Sequence, residues 1–336
     1  MNPKNFPACK FFAVALLLPF VWANAARAEL TRTQTISLHR GWNAVHLQVT
    51  PLSNAPAAIF AGTPVTIAAT FFGGDSSVQF IQNPGSISWK HDGWSVWYAP
   101  SRPDGFLASL YAVQGNRGYL VYAESDYTWN VTGTVTLPTM KWKPDSFNYV
   151  GLGVNAASPP TFGRFFAGSA AHTSGKIYRL VNNQWVRVAN AATEQMRAGE
   201  ACWIYCAGAS DYQGPLTVKL TTGDTALFGS DAEAPVTLAN ATSDPLTVRV
   251  ETVAADGGLP LGYVVRGIST NSLATVTFDL PANYTPPTLE AKQTSYLWLK
   301  LRRERMAVAA QSALLKISTD SGAETWLPVS GSLTPQ

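Results

Sequence analysis

The chain has 336 residues, 24 basic and 21 acidic side chains, a formal charge of +3 and only 13% charged residues. Lys4, Lys10 and Arg27 lie in the first 28 residues, which hold no acid, so the rest of the chain is formally neutral. That argues against nucleic acid as a partner, because a phosphate-binding surface carries a basic excess. The 46% hydrophobic and 11% aromatic content excludes a disordered chain.

The first segment reads as an export signal. Lys4 and Lys10 give a positive start, Phe11 to Trp22 an apolar run, and Ala26-Arg27-Ala28 a small-x-small cleavage pattern before Glu29. The run falls short of the roughly 20 residues that span a bilayer, so no transmembrane anchor is expected after cleavage. The expected location is the periplasm, the cell surface or the extracellular space.

Two stretches of the body are alike. Gly41-Trp42-Asn43-Ala44-Val45-His46 leads to Phe60-Ala61-Gly62, and Ser146-Phe147-Asn148-Tyr149-Val150-Gly151 leads to Phe166-Ala167-Gly168. Each is followed by a hairpin, one turning at Asp92-Gly93 near Trp89 and Trp94 to Tyr98, the other at Asn182-Asn183. Each closes on an aromatic strand, Val113 to Ala123 aligning without a gap to Met196 to Cys206. Short helices are expected at Ala55 to Phe60 and Pro159 to Phe166, capped by Asn54 and Ser158, with a further turn around Phe106, Leu107 and Leu110.

Beyond residue 235 the pattern alternates in about seven strands over about 100 residues, the spacing of an immunoglobulin-like sandwich. Leu297, Leu299 and Leu301 face one way there and Trp298 and Lys300 the other. The expected division is a signal peptide at 1–28, β-rich modules at 29–136 and 137–222, a linker at 223–235 and a sandwich at 236–336. The fold class is mainly β: two related β-rich modules with short helices, then an immunoglobulin-like β-sandwich.

Chemical motifs are sparse. Cys202 and Cys206 sit on one strand, about 13 Å apart at strand rise, so no disulfide is expected. His39, His46, His91 and His172 do not form a metal-ligand spacing, and neither metal nor cofactor is expected. Gly151-Leu-Gly153-Val-Asn-Ala156 matches a loose dinucleotide fingerprint, but prolines rather than a helix follow it, so it reads as a strand passing close to a neighbour. There is no Gly-x-Ser-x-Gly elbow. Asp92, Asp104, Glu124 and Asp126 are the carboxylates weighed as a glycosidase pair, and Asp92 and Asp104 sit in Asp-Gly turns. Arg302-Arg-Glu-Arg305 reads as a solvated strand edge.

The aromatics are the best lead. Trp94, Val96 and Tyr98 share one strand face and Trp97 takes the other, so one set is expected in a core and the other exposed. Trp94, Trp97 and Tyr98 are therefore the candidate binding residues, for a sugar ring or a protein anchor.

The paired leading and closing strands resemble repeated modules of uncharacterised, large, exported bacterial surface proteins, in which a Gly-Trp-Asn strand pairs with a later Gly-x-Gly-Tyr-aromatic strand. The resemblance covers about 40–220, with Phe147 in place of Trp and Cys202 in place of the closing Tyr in the second copy. The segment 236–330 resembles immunoglobulin-like domains of exported proteins. These resemblances imply location and domain style and no activity. The function expected is a non-catalytic structural, adhesive or assembly role, with a surface polymer, glycan or protein as partner. Carbohydrate binding through exposed aromatics is the first alternative and an extracellular hydrolase the second.

Overall fold

The computed structural model describes residues 30–72, 93–254, 258–269 and 272–334. The expected signal peptide at 1–28, Trp89, His91 and Asp92 lie outside the described residues. The chain is mainly β, 49% strand and 7% helix. Strands β1 (Thr31–Leu38), β2 (Gly41–Leu47) and β3 (Thr50–Pro51) come first, then helix α1 (Pro56–Ile59). They are followed by β4 (Val65–Phe71), β5 (Trp94–Tyr98), β6 (Arg117–Ala123) and β7 (Tyr127–Thr134). These strands make two antiparallel sheets, β1-β7-β3 and β2-β6-β4-β5.

Next come β8 (Ser146–Gly151), helix α2 (Phe162–Phe166), β9 (Ile177–Val181), β10 (Gln184–Arg187) and β11 (Ala201–Cys206). Their sheet runs β8-β11-β9-β10, which is the order of β2-β6-β4-β5 with each strand in the same place. Trp42 sits opposite Tyr122 and Phe147 opposite Tyr205. Both pairs are edge-to-face at 5.2 Å between ring centroids. Asn43 and Asn148 each use the side-chain amide to bond the carbonyl two residues back and a loop carbonyl further back. Each also accepts a backbone N–H from that loop, His39 in one case and Lys143 in the other.

The layers explain why the closing strands are apolar almost throughout. One face of β2-β6-β4-β5, with Val45, Leu47, Tyr119 and Val121, packs on Trp129 and Val131 of β7. The other face meets β8-β11-β9-β10, whose Phe147, Tyr149, Trp185 and Trp203 cluster with Leu120, Trp42, Phe71 and Trp94. The far face of that second sheet, with Cys202, Ile204 and Cys206, packs on Phe162, Phe165 and Phe166 of α2. A strand buried on both faces loses the polar half of its alternation.

Turn chemistry follows the residues. Asn182 and Asn183 both have positive φ, 50° and 64°, joining β9 to β10 in the tight hairpin their sequence signals. Helix α1 is shorter than expected and its N-cap is Ala55 rather than Asn54. In α2 the prolines stay outside, and the cap is Thr161, whose hydroxyl accepts from Arg164 N. The turn near Phe106 is a short 3-10 segment at Gly105–Leu107.

The remaining strands are β12 (Leu216–Leu220), β13 (Ala226–Phe228), β14 (Glu233–Asn240), β15 (Val248–Ala254) and β16 (Leu261–Ser269). Then come β17 (Ser272–Asp279), β18 (Asn283–Tyr284), β19 (Thr294–Leu301), β20 (Ala310–Thr319) and β21 (Glu324–Ser332). They form two five-stranded sheets, β12-β14-β19-β16-β17 and β13-β21-β20-β15-β18. The first four strands of one sheet and β21-β20-β15 of the other follow the ABED and GFC arrangement of an immunoglobulin-type sandwich. Leu297, Leu299 and Leu301 point into its core.

Two expected boundaries differ from the observed ones. Leu216–Leu220, read as the end of the second module, pairs with β14 in the sandwich. The segment 223–235, read as a linker, supplies β13, parallel to β21, and the start of β14. β13, three residues in a Gly/Ala/Asp-rich stretch, and β18, two residues, were too short to stand out, and the five-residue β12 carries no mark of which unit it pairs with.

Glycines set how closely the sandwich meets the second sheet. A Cβ on Gly153 would lie 2.1 Å from the Glu324 carbonyl oxygen, and one on Gly168 2.1 Å from that of Ala241. Glu324 N bonds Gly153 O at 3.0 Å and Asn155 N bonds Gly322 O at 2.9 Å. Gly153→Ala is therefore expected to lower the denaturant midpoint markedly, a loss of about 1–3 kcal/mol from overpacking. Gly267→Ala, with nothing within 4 Å of its Cβ, should leave the midpoint within about 0.5 kcal/mol of the parent. Equal midpoints for the two variants would contradict the close contact.

Candidate functional site

β5 alternates as the sequence requires, but neither face is free. Trp97 is 7% exposed and stacks on Phe60 at 5.0 Å. Tyr98 is 6% exposed, opposite Ile67 on β4. Trp94 is half-buried among Phe71, Tyr149 and Trp203, with centroids at 5.4, 5.9 and 6.2 Å. One of the two faces, Trp94 with Tyr98 or Trp97, was expected to be exposed, and the structure leaves neither as an open aromatic platform. Their sheet is a middle layer, so alternation sorts the rings between two buried faces instead of between core and water.

The fingerprint glycines also serve packing. The ring of His46 fills the space above Gly151, 2.0 Å from where a Cβ would stand. His46 and Gly151 hold equivalent places in the two sheets, so one sheet supplies a side chain where the other leaves a gap. Tyr149 likewise lies over Gly118, and its hydroxyl donates to Tyr119 O at 2.9 Å. His46 N bonds Gly199 O at 2.7 Å, and its carbonyl accepts from the buried Gln34 amide at 2.8 Å. Burial, with Arg32 nearby, pushes the His46 pKa down to about 4.

One pairing escaped the sequence reading. Ser169 Oγ lies 2.6 Å from His172 Nδ1. The spacing of three residues is the only signal the sequence holds for it, and many unrelated Ser/His pairs share that spacing. The geometry resembles half of a nucleophile–base dyad. However, Ser169 is 6% and His172 4% exposed. The imidazole is stacked on Phe166 at 4.7 Å and sits 4.2 Å from the Trp142 ring. Burial lowers its pKa to about 4. No substrate carbonyl reaches an oxygen so enclosed.

The other candidates are structural as well. Cys202 and Cys206 are free and buried, and burial raises both thiol pKa values, which keeps them inert near neutrality. Asp104 pairs with Arg102 at 2.8 Å, Glu124 accepts from Thr66 and Asp126 from Arg40 N, so these acids are dispersed into local bonds. Arg303 of the charge run donates to the carbonyls of Gly229, Asp231 and Ser332, while Arg302 and Arg305 pair with Asp279. Buried Arg179 holds Glu194 at 2.6 Å and Glu200 at 2.5 Å, tying the loop before β11 to β9. Among the described residues no group of three or more His, Cys, Asp or Glu is placed to hold a metal ion, and no helix is long and apolar enough to cross a membrane.

Two surface features remain. A cleft of about 840 Å³ opens between the end of β7 and the sandwich, lined by Leu30, Val135 and Leu227 with Asp224, Asp231 and Glu233. Glu233 is bound by Arg266 at 2.7 Å and Lys300 at 3.5 Å. The second feature is the loop after β5, which exposes Phe106 at 84%, Tyr111 at 79% and Leu107 at 52%. Leu110 points inward and anchors it.

No protein-family model matches the chain, and no curated protein matches it. Among solved structures, the ASH/PapD-like domain 7 of human CEP192 is similar at TM-score 0.23 and 12% identity, over 36% of this chain and 87% of that one. Vibrio cholerae VesB protease gives TM-score 0.22 and 12% identity over 87% of this chain and 100% of its own. The Enterococcus faecalis MSCRAMM ACE gives 0.20 and 7% over 90% of each. Scores this low assign neither fold nor function.

The two buried imidazoles set an acid limit. Each has a folded-state pKa of about 4, against about 6.5 when unfolded. Between these values the unfolded chain binds protons that the folded chain refuses, so stability falls as pH drops from 6.5 toward 4. Denaturant midpoints should be flat above pH 7 and decline below 6.5, with the His46 and His172 ring NMR shifts still those of neutral imidazole at pH 5.5. Imidazolium signals at that pH would contradict the burial.

Proposed function

We propose that this chain is an exported, non-catalytic β-protein with a structural, adhesive or assembly role at the bacterial surface or in the extracellular space. The observation that carries the reading is where the reactive side chains go. The Ser169–His172 pair, both thiols and the glycine fingerprint are spent on packing α2, the second sheet and the sandwich, and the β5 aromatics on the two covered faces of their own sheet. We also read the two four-stranded sheets as copies of one module, on the shared strand order, the equivalent aromatic pairs and the equivalent asparagine bonds.

The contact surface in this reading is the Phe106–Tyr111 loop, where rings stand in water while Leu110 and the Ser109 and Leu110 bonds to Val96 anchor the backbone. A double variant, Phe106→Ser with Tyr111→Ser, should keep its unfolding midpoint within about 0.5 kcal/mol of the parent, since exposed sites contribute little to folding. It should lose binding on arrays of glycans and extracellular matrix proteins. Parent-like binding by the double variant, or no binding by the parent, would remove the loop from the proposal. Export is tested separately, by expressing the full chain with its own leader and sequencing the N-terminus of the exported fraction, expected to begin at Glu29.

The cleft beside β7 favours an extracellular hydrolase as the second reading, because it brings Asp224 and Asp231 to one concave surface. That reading requires turnover of a chromogenic glycoside or ester that Asp224→Asn or Asp231→Asn abolishes. Undetectable turnover by the parent would end it.

A further inference from the structure

β17 ends its sheet, with all eight residues paired to β16 on one side and no described strand on the other. A free strand edge is a template for another strand, and proteins block it with charge, proline, bulges or brevity. The other outer strands of the sandwich follow that rule. β13 and β18 have three and two residues, and β12 carries Lys219. β17 does not follow it. Ser272 to Phe278 contains no charge and no proline. Its single acid, Asp279, is at the end and is held by Arg302 and Arg305 of its own chain. Val276 is 48% and Phe278 46% exposed, and Val265, opposite Val276 on β16, is 47% exposed.

The edge is also complementary to itself. Leu280 N donates to Leu261 O at 2.9 Å, so the even-numbered residues of β17 aim their backbone groups at β16. The odd-numbered ones, Thr275, Thr277 and Asp279, aim theirs at the free edge. A two-fold axis normal to the sheet keeps each face on its own side, so only residues of equal parity can sit opposite. An axis at Val276 sets Thr275 against Thr277 of a second copy as a hydrogen-bonded pair, twice. It sets Val276 against itself and Phe278 against Ala274, large over small, on the apolar face. No charge on β17 itself lies near the axis, and Arg266, opposite Thr275 on β16, is held by Glu233 at 2.7 Å.

We propose that the chain self-associates through this edge, two copies pairing their β17 strands antiparallel about Val276. The eight residues span about 27 Å at strand rise. A single strip of that length buries less than the roughly 800 Å² per partner of a stable interface, so association is weak and rises with concentration. The inference stands on the recombinant chain and does not depend on export.

Sedimentation velocity over increasing concentration should show a monomer–dimer equilibrium. Val276→Lys places like charges face to face and should weaken it at least tenfold, and mixing with Val276→Glu should restore pairing as a heterodimer. Val276→Cys gives the geometric test. Its Cα atoms would be about 4.5 Å apart across a non-hydrogen-bonded pair, within the disulfide range of about 4.4–6.8 Å. Thr275→Cys sits on a diagonal of about 7–8 Å. Mild oxidation should therefore cross-link the first variant and not the second, with buried Cys202 and Cys206 silent. A parent that stays monomeric at every concentration, a dimer indifferent to Val276→Lys, or equal cross-linking at 275 and 276 would overturn the proposal.

Discussion

The face-to-face packing of the two four-stranded sheets is the constraint on which the rest of the molecule depends. Tyr149, Trp185 and Trp203 from one sheet meet Leu120, Trp42, Phe71 and Trp94 from the other. Trp203 is 1% exposed and lies within ring-contact distance of four other aromatics. Each such pair adds about 0.5–1.5 kcal/mol beyond its buried area, and a large buried ring is worth about 3–5 kcal/mol against alanine. This interface makes both sheets middle layers. Once they are, the large rings that face each other across the interface are not open to a ligand.

The same interface shows how near-equivalent surfaces avoid a void. Two identical faces pressed together would leave matching hollows or matching clashes. Here His46 occupies the place that Gly151 vacates, and Tyr149 covers Gly118. The consequence is a buried imidazole held neutral, with its pKa near 4. A packing solution has therefore set a pH limit on the fold, with no catalytic role required of the histidine.

With these side chains buried, the features left open among the described residues lie on the surface, in a chain with only 13% charged residues. The Phe106–Tyr111 loop, the cleft beside β7 and the bare edge of β17 are its distinctive features. Each is a place where a usual rule of exposed protein surface is relaxed: apolar rings in water, carboxylates gathered in a concavity, an unblocked strand edge. A protein that works by contact, as proposed here, needs such places, and a buried Ser–His pair does not substitute for them.

The sequence by itself determined the β class, the turn at Asn182–Asn183 and the seven longer strands of the sandwich. These depend on local rules: alternation, turn dihedrals and strand rise act over a few residues. The likeness of the two stretches was legible as well, but the registers of Trp42 with Tyr122 and Phe147 with Tyr205 came from the paired strands alone. Only the tertiary structure decided which face of β5 meets water, and the answer was neither. Alternation separates two faces but says nothing of what covers each. The short strands β12, β13 and β18 were decided in the same way, since two to five residues gain strand geometry only from the neighbours that pair with them. Ser169 and His172 came together through a 3-10 turn inside an aromatic pocket, and no spacing rule distinguishes that from a chance pair on a loop.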